Sequence, residues 1–250
     1  MVSDERIAKL ITFRIRAFAE RLRELQEDGT IDAMSVTEVI EELIDAEALA
    51  RVNRKIAKLN RLARFSAPEA CMEDIIYLPQ RKLDKERMGR LAAGRYLDEH
   101  DHIVVISKTG CGKSYVVQAL GNAACRQGRT VRYIRHNDLC RELNTARVNG
   151  DYYDVLDAFV AVELLIIDDF FVEAASDASV TDIFEIIQAR EEKGSLILAS
   201  QAEPEQWHLQ IKTKIKADAI IDRIVHRCKY IDLEDFNMRK YLAEQKRVPK

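Results

Sequence analysis

The sequence is poor in residues that break regular structure and lacks the patterns of membrane or secreted proteins. Its 250 residues include only 9 glycines and 4 prolines, which excludes a collagen-like, low-complexity or loop-dominated chain. The longest strictly apolar runs, such as residues 164–167, are far below the roughly 20 residues of a membrane span. The N-terminal residues carry no apolar stretch of the signal-peptide kind. We therefore expect a cytoplasmic protein with no membrane partner.

Cysteine and net charge exclude further classes. The five cysteines are scattered without a Cys-x-x-Cys pair, so neither a disulfide framework nor a zinc site is indicated. The 39 Lys and Arg residues against 42 Asp and Glu residues give a net charge of −3. The whole chain is therefore no polybasic nucleic-acid binder, and any such binding must come from charge segregated along the sequence.

The first 66 residues predict a small all-helical domain for oligomerisation, partner or DNA contacts. Between residues 7 and 65 there is no proline, and Gly29 is the single glycine. Apolar residues recur at helical spacing from Ile7 to Leu25. Ser35 and Glu38 then have the spacing of a capping box. The Ser-Ala-Pro sequence at 66–68 marks a linker, so residues 67–250 are expected to form the second domain.

A basic stretch from residue 51 to 64 follows the acidic start of this last helix. Spacings of three and four put most of its six cations on one helical face. Two interpretations stay open. The cations either complement the helix dipole and remain solvated, or they form a stripe that follows nucleic-acid phosphates. The candidate DNA contacts here are Arg51, Arg54, Lys55, Lys58 and Arg61.

Beyond residue 102, short apolar runs alternate with helical segments. Strands are predicted at 103–106, 131–134, 164–167 and 196–199, and helices at 114–126 and 180–192. Buried strands separated by helices imply an α/β fold, in which helices flank both faces of a parallel sheet.

The segment 107–114 reads Ser-Lys-Thr-Gly-Cys-Gly-Lys-Ser and lies between a predicted strand and a predicted helix, the context of a phosphate-binding P-loop. Gly110 and Gly112 let successive N–H groups point inward, and the helix N-terminus adds its positive end. Lys113 can reach the β- and γ-phosphates, and the Ser114 hydroxyl can ligate Mg²⁺. ATP and Mg²⁺ are the expected cofactors. The expected nucleotide contacts are Ser107, Lys108, Thr109, Gly110, Cys111, Gly112, Lys113, Ser114 and Tyr115.

Ser107 stands where the P-loop pattern has its first glycine. A serine is tolerated there if its φ is negative, and at a modest cost in free energy if it is not. Cys111, inside the loop, is either a reactive thiol near a cationic site or a tolerated residue whose side chain points away from the nucleotide.

Asp168 and Asp169 end the apolar run 164–167. At the carboxyl edge of a parallel sheet this is where the metal of a bound nucleotide lies. We expect Asp168 to hold Mg²⁺ through water and Asp169 to polarise the attacking water. Taken alone, the pair also fits an apolar strand that ends in a polar loop.

This order of parts resembles the AAA+ ATPases. Within them the chain resembles the IstB family, the transposition helper ATPases of insertion sequences, which are related to DnaC-type helicase loaders. The resemblance covers nearly the whole chain. It is carried by Arg51-Val52-Asn53-Arg54, Ala63-Arg64-Phe65 with Pro68, Thr109 to Ser114, Ala119-Leu120-Gly121, Ala124 to Gly128, Leu165 to Asp169, Gly194 to Ile197, Glu205-Gln206-Trp207 and Ala219 to His226.

The resemblance implies roles for three further residues. Gln201 matches the polar sensor that orients water at the γ-phosphate, Arg223 matches an arginine finger that enters a neighbouring subunit's site, and Arg239 falls near a second phosphate sensor. A surface ion pair with Asp222 or another neighbour stays open for Arg223. The family more often has Glu at position 169 and Asn at 201. Displaced water-positioning groups slow catalysis, so tight ATP binding with slow hydrolysis is expected.

The resemblance also implies a homo-oligomeric ring or helix that grips duplex DNA, largely without sequence preference, and presents it to a transposase. Further candidate DNA contacts are Arg141 and Arg147, or Lys212, Lys214 and Lys216. Two alternatives stay open. One is a DnaC-like loader of a replicative helicase, and the other is a nucleotide-bound scaffold with little hydrolysis.

Overall fold

The computed structural model describes residues 2–245, which divide into two compact units. The first unit ends at Lys58 and the second begins at Leu59. The boundary expected from sequence, at residue 66, lies beyond the end of the helix that contains this division. Within the described residues, no helix is long and apolar enough to cross a membrane.

The first unit contains α1 (Asp4–Thr12), α2 (Arg16–Glu27) and most of α3 (Val36–Ala63). Its small core consists of Ile7, Ala19, Leu22, Leu25 and Leu43. The apolar residues from Ile7 to Leu25 lie on two helices, because the chain turns at Arg14, whose φ is +62°. The predicted capping box at the start of α3 is confirmed by reciprocal hydrogen bonds between Ser35 and Glu38.

The second unit contains a five-stranded parallel sheet in the order β2-β3-β4-β1-β5. The strands are β1 (His102–Ile106), β2 (Val131–Arg135), β3 (Leu164–Asp168), β4 (Ser195–Ser200) and β5 (Cys228–Asp232). The helices are α4 (Lys85–Ala92), α5 (Arg95–Asp98), α6 (Lys113–Arg126), α7 (His136–Asn149), α8 (Tyr152–Ala161), α9 (Asp177–Arg190), α10 (Lys214–Val225) and α11 (Met238–Gln245). Two apolar clusters cover the two faces of the sheet, which confirms the predicted fold class.

One strand of this unit differs from the sequence expectation. β5 was not predicted, because it is an edge strand in which Ile231 alone is fully buried and charged residues interrupt the apolar pattern. Before β1 the chain forms two short helices, α4 and α5, because Gly94 adopts a left-handed φ of +81° between them.

Arg190, at the end of α9, is completely buried without a carboxylate partner in the described part of the chain. One guanidinium nitrogen donates to the carbonyls of Phe159, Val160 and Val162 at 2.8, 3.0 and 2.7 Å. The other donates to the Ser195 carbonyl at 2.8 Å. Carbonyls at a helix C-terminus lack intrahelical partners and carry partial negative charge. Arg190 therefore provides hydrogen-bond donors to the carbonyls at the end of α8 and joins this end to β4. Burial lowers the pKa of Arg190 to about 10.

Replacing Arg190 with methionine is expected to lower the free energy of unfolding by about 3 kcal/mol, because several buried carbonyls lose their donor together. Urea unfolding followed by circular dichroism measures this effect. Arg126→Met is the control, since Arg126 is a half-exposed residue paired with exposed Glu73 and its loss is expected to cost less than about 1 kcal/mol. Equal losses in the two variants would contradict the structural role of Arg190.

The pH dependence of stability is expected to reflect two buried histidines. Burial lowers the pKa of His102 and of His136 from 6.5 to about 4. Between these values the unfolded chain binds protons that the folded chain does not, so the free energy of unfolding falls as the pH falls from 6.5 to 4. Each histidine contributes up to about 3 kcal/mol of this loss.

Urea unfolding at several pH values tests the contribution of His136, whose ring packs against Phe170 and Phe171 at centroid distances of 5.5 and 4.8 Å. His136→Phe is expected to reduce the loss of stability below pH 6.5. An unchanged pH dependence would show that this histidine is not responsible.

Candidate nucleotide-binding site

The P-loop joins β1 to α6 and has the backbone that the sequence predicts. Gly110 and Gly112 have φ values of +88° and +94°, a region that favours glycine. A Cβ at Gly110 would lie 2.9 Å from the side-chain oxygen of Asn237, so this position also lacks space. Ser107 is buried and is not among the residues with positive φ. The condition under which serine can replace the first glycine is therefore met.

Lys113 is buried at the start of α6 and faces the inside of the loop. Its Nζ donates to the carbonyl oxygens of Ser107 and of Lys108, the second at 3.0 Å. Burial lowers the pKa of Lys113, while the charges of Asp168 and Asp169 act in the opposite direction. The hydrogen-bond partners of Lys113 are neutral carbonyls, so they do not cancel the charge of its ammonium group. Such a group suits a phosphate.

Asp168 and Asp169 lie at the carboxyl end of β3, at the same edge of the sheet as the P-loop. The Asp168 carboxylate is buried and accepts hydrogen bonds from the Tyr133 hydroxyl at 2.8 Å and from the Asp169 N–H at 3.0 Å. Asp169 has a φ of +53°, which aspartate tolerates better than most residues. Burial raises the pKa of Asp169, and the neighbouring Asp168 charge raises it further.

A cleft of about 580 Å³ brings together residues from distant parts of the sequence. Of the predicted residues it is lined by Thr109, Gly110, Gly112, Lys113, Ser114, Asp169, Gln201 and Arg239. The Thr109 hydroxyl donates to Gln201 Oε1 at 2.9 Å. The Arg239 N–H donates to the Gly110 carbonyl at 3.1 Å, so the start of α11 packs on the P-loop. Glycine-rich backbone beside a buried lysine fits a nucleotide phosphate. The Ser114 oxygen at the cleft suits Mg²⁺, and so does the carboxylate of Asp168, which is buried and does not itself line the cleft.

Four predicted nucleotide contacts do not line this cleft. Ser107 and Lys108 border the neighbouring surface, where Lys108 forms an ion pair with Asp235. Cys111 is buried. The Tyr115 hydroxyl accepts a hydrogen bond from the Cys71 N–H at 3.4 Å.

Comparison with known protein families shows that residues 8–246 match the family described as IstB-like ATP binding protein. The chain belongs to this family. An insertion sequence ATP-binding protein of Sinorhizobium fredii is 33% identical over 240 residues, covering 96% of this chain and 98% of the relative. The ATP-binding protein of insertion sequence IS1162 from Pseudomonas fluorescens is 30% identical over 204 residues, covering 80% of this chain and 87% of the relative.

Two solved structures share the fold at lower identity. The AMPPCP-bound DnaA from Aquifex aeolicus has a TM-score of 0.59 and 20% identity, over 72% of this chain and 55% of that chain. The chain thus spans about half the length of that DnaA. The DnaC helicase loader has a TM-score of 0.54 and 16% identity, over 66% of this chain and 97% of that chain. These likenesses show that the chain shares its fold with DnaA and DnaC.

In this IstB-like chain Arg223 lies on α10 and does not line the cleft. Its Nε lies 3.6 Å from the Glu191 carboxylate, and its guanidinium lies 5.1 Å from the centre of the Phe184 ring. Arg223 therefore forms the ion pair that the sequence analysis left open, but its partner is Glu191. Asp222 instead contacts His226 at 2.8 Å. A residue that acts on a neighbouring subunit is compatible with this position outside the cleft.

Two of the five basic candidates on α3 are engaged within the first unit. Arg51 and Arg54 bind one oxygen of buried Glu47 at 2.8 and 2.9 Å. The other oxygen of Glu47 accepts the N–H groups of Ala17 and Phe18, at the start of α2. These contacts give both arginines a structural role. Lys55, Lys58 and Arg61 are exposed and form no ion pair among the described residues.

The other basic candidates also differ in availability. Arg141 is exposed and pairs with Asp138 at 3.2 Å. Arg147 binds the buried carboxylate of Asp182 at 2.5 Å, and its guanidinium lies 4.3 Å from the centre of the Tyr152 ring. Arg147 therefore joins α7 to α9. Of the alternative lysines, Lys212 and Lys214 are exposed, whereas Lys216 donates to Thr181.

The sequence reasoning missed the residues that hold Asp168. The Tyr133 hydroxyl, which donates to Asp168, accepts a hydrogen bond from the Ser66 hydroxyl at 3.3 Å. Gln118 accepts from the Ala67 N–H at 2.8 Å and donates to the Ser114 carbonyl at 2.9 Å. Both expected Mg²⁺ residues thus connect to the segment after α3. The one available signal was a tyrosine within the predicted strand β2, since a buried tyrosine hydroxyl usually finds a partner.

Removing the Tyr133 hydroxyl is expected to weaken the use of Mg²⁺ specifically. Tyr133→Phe leaves Asp168 without the donor that orients it, and loss of such a contact typically lowers metal affinity about 10- to 100-fold. The measurement is a Mg²⁺ titration of ATP binding, followed with a fluorescent ATP analogue.

Tyr152→Phe is the matched control, because the Tyr152 hydroxyl also donates to an aspartate, Asp182, at 2.8 Å but lies away from the cleft. ATP binding in excess EDTA is expected to be the same in both variants and the parent chain. Equal Mg²⁺ dependence in the two variants would contradict the role of Tyr133.

Proposed function

We propose that this IstB-like chain binds ATP with Mg²⁺, hydrolyses it slowly, and acts as an assembly factor through which an insertion-sequence transposase captures target DNA. The observation that carries the proposal is the convergence of Lys113, Ser114, Asp169 and Arg239 on one cleft at the carboxyl edge of the sheet. The names of the relatives support the link to insertion sequences.

Within the cleft each residue has a distinct chemical task. Lys113 neutralises charge on the β- and γ-phosphates, and Ser114 and Asp168 hold Mg²⁺. A Mg²⁺ ion held there would supply positive charge that offsets the negative charge developing on the phosphate. Asp169 accepts a proton from the attacking water, and Gln201 orients that water. Asp169 is one methylene shorter than glutamate, so it holds the water less well. Hydrolysis below roughly 10 per second, the median for enzymes, is expected.

Assembly adds a positive charge from a neighbouring subunit to the site. Arg223, from the neighbouring subunit, completes the charge stabilisation at the γ-phosphate, so ATP links adjacent copies and hydrolysis depends on oligomerisation. Head-to-tail contacts of this kind produce rings or open helices. The position of Arg223 outside its own cleft supports this arrangement.

The assembly binds duplex DNA through exposed cations, largely without sequence preference. Lys55, Lys58, Arg61 and Arg141 are the best placed for this, because Arg51, Arg54 and Arg147 are held by buried carboxylates. Phosphate contacts of this kind weaken steeply as the salt concentration rises.

A helicase loader is the second candidate function, favoured by the likeness to the fold of DnaC. Such a loader prefers single strands, so comparing duplex with single-strand affinity in the presence of ATP separates the two functions.

A nucleotide-bound scaffold is the third candidate, and it predicts that phosphate release stays at background with DNA and partner present. Electron microscopy with linear duplex and a non-hydrolysable ATP analogue reports the oligomer geometry and the DNA path together.

A mixing experiment tests the shared site. Lys113→Ala is expected to lose ATP binding, assembly and hydrolysis, and Arg223→Ala to bind ATP but hydrolyse it at least about 10³-fold more slowly. Mixed together on duplex DNA, the two variants are expected to regain phosphate release, because the Lys113→Ala subunit supplies Arg223 to the ATP held by the other.

Arg126→Ala is the control for removing a surface cation outside the cleft. Alone, it is expected to hydrolyse ATP like the parent. Mixed with Lys113→Ala or with Arg223→Ala, it is expected to behave as the parent does in the same mixture. Phosphate release from the two-variant mixture no faster than the sum of its parts would contradict a finger shared between subunits. Assembly of Lys113→Ala on plasmid as complete as that of the parent would contradict the proposal that ATP links the copies.

A further inference from the structure

Arg81 is a buried cation that contacts the P-loop. Only 6% of the residue is exposed, and it does not line the nucleotide cleft. It belongs to the turn before α4, where its N–H donates to the Leu78 carbonyl at 2.9 Å. Nothing in its sequence surroundings, a proline-containing polar segment, distinguishes it from an exposed arginine.

The partners of the Arg81 guanidinium are backbone carbonyls. One nitrogen donates to the Ile76 carbonyl at 2.7 Å, and the other donates to the Cys111 carbonyl of the P-loop at 3.2 Å. Nε has no partner, and among residues 2–245 no carboxylate forms an ion pair with Arg81. Burial lowers its pKa. An unpaired buried charge is costly, so its retention next to the P-loop indicates a use.

The bond to Cys111 determines which way one peptide group of the P-loop points. No described peptide bond is cis. In a trans peptide the N–H points away from the C=O, so a Cys111 carbonyl that faces Arg81 turns the Gly112 N–H in the opposite direction. Gly112 lines the cleft, whereas Arg81 does not. The Gly112 N–H makes no hydrogen bond within the described structure, so it is free to bind an anion.

We propose that Arg81 is a positioning residue of the nucleotide site: it holds the Cys111–Gly112 peptide with its N–H toward the phosphates of a nucleoside di- or triphosphate. The guanidinium also polarises this peptide and adds a fixed positive charge next to the loop. Its carbonyl partners accept hydrogen bonds from two of its nitrogens without cancelling its charge, so the charge remains available to the phosphates. The inference rests on the proposed binding of ATP.

ADP binding measures the contribution of Arg81 to affinity. Arg81→Met is expected to weaken ADP binding about 10- to 100-fold, the usual effect of losing a charge-assisted hydrogen bond. Arg190→Met is the matched control, because it removes another buried guanidinium with carbonyl partners that does not touch the P-loop. It is expected to bind ADP like the parent at a temperature where both variants are folded.

An NMR signal reports the orientation of the peptide itself. Cys111-Gly112 is the single Cys-Gly pair in the sequence, so ¹³C-carbonyl cysteine with ¹⁵N-glycine gives one correlated signal, from this peptide. In the parent chain ADP is expected to move this signal. In Arg81→Met the signal is expected to start at a different position and to move less, whereas Arg190→Met is expected to behave like the parent. A purely structural role for Arg81 predicts no such difference.

The outcomes separate this inference from the proposed function. Parent-like ADP affinity together with a parent-like signal in Arg81→Met would overturn the role of Arg81 alone. Failure of the unaltered chain to bind ADP would instead contradict the proposed function.

If Arg81→Met does not fold, Arg81→Lys tests the inference instead. This variant keeps the positive charge but loses the two guanidinium nitrogens that donate to the Ile76 and Cys111 carbonyls at the same time. It is expected to bind ADP roughly 3- to 10-fold more weakly, with a displaced signal. Parent-like binding and an unchanged signal in this variant would overturn the inference.

Discussion

The candidate site depends on the insertion of β4 between β3 and β1 in a parallel sheet. Ile106 of β1 pairs with Ser200 of β4, and the Ser107 N–H donates to the Ser200 carbonyl at 3.4 Å. Because all five strands run in the same direction, the P-loop, Gln201 and the acidic pair emerge at one edge. The pairing is held by strands whose side chains are buried on both faces, so packing of the core sets the geometry of the polar residues.

Backbone carbonyls hold three buried cations of the second unit. Lys113, Arg81 and Arg190 each donate to carbonyl oxygens, and none of the three forms an ion pair with a carboxylate in the described structure. A carbonyl satisfies the donor but does not neutralise its charge. For Arg190 the remaining charge complements the C-terminal end of α8. For Lys113 and Arg81 it lies beside the P-loop, where phosphate charge is expected.

The departures from the family pattern have local explanations. Ser107 replaces glycine where φ is not positive, so the substitution adds no backbone strain. Asp169 adopts a left-handed φ that aspartate tolerates, and its shorter side chain still lines the cleft. Gln201 accepts a hydrogen bond from Thr109, which ties the end of β4 to the P-loop. The changed residues are therefore integrated into the site, which is consistent with a site that retains nucleotide binding.

Local patterns in the sequence were sufficient to predict the α/β fold, four of the five strands, the P-loop backbone and the acidic pair at the end of β3. These features depend on neighbours close in sequence: apolar periodicity, glycine at positive φ and the order of strand, loop and helix. β5 was missed because an edge strand needs few apolar residues. The contacts of Tyr133, Arg81 and Arg190 were decided by the tertiary structure, since Tyr133 meets Asp168 across 35 positions and Arg81 meets Cys111 across 30. A polar side chain shows its function only through its partner, and the partner is set by how the sheet and its helices pack.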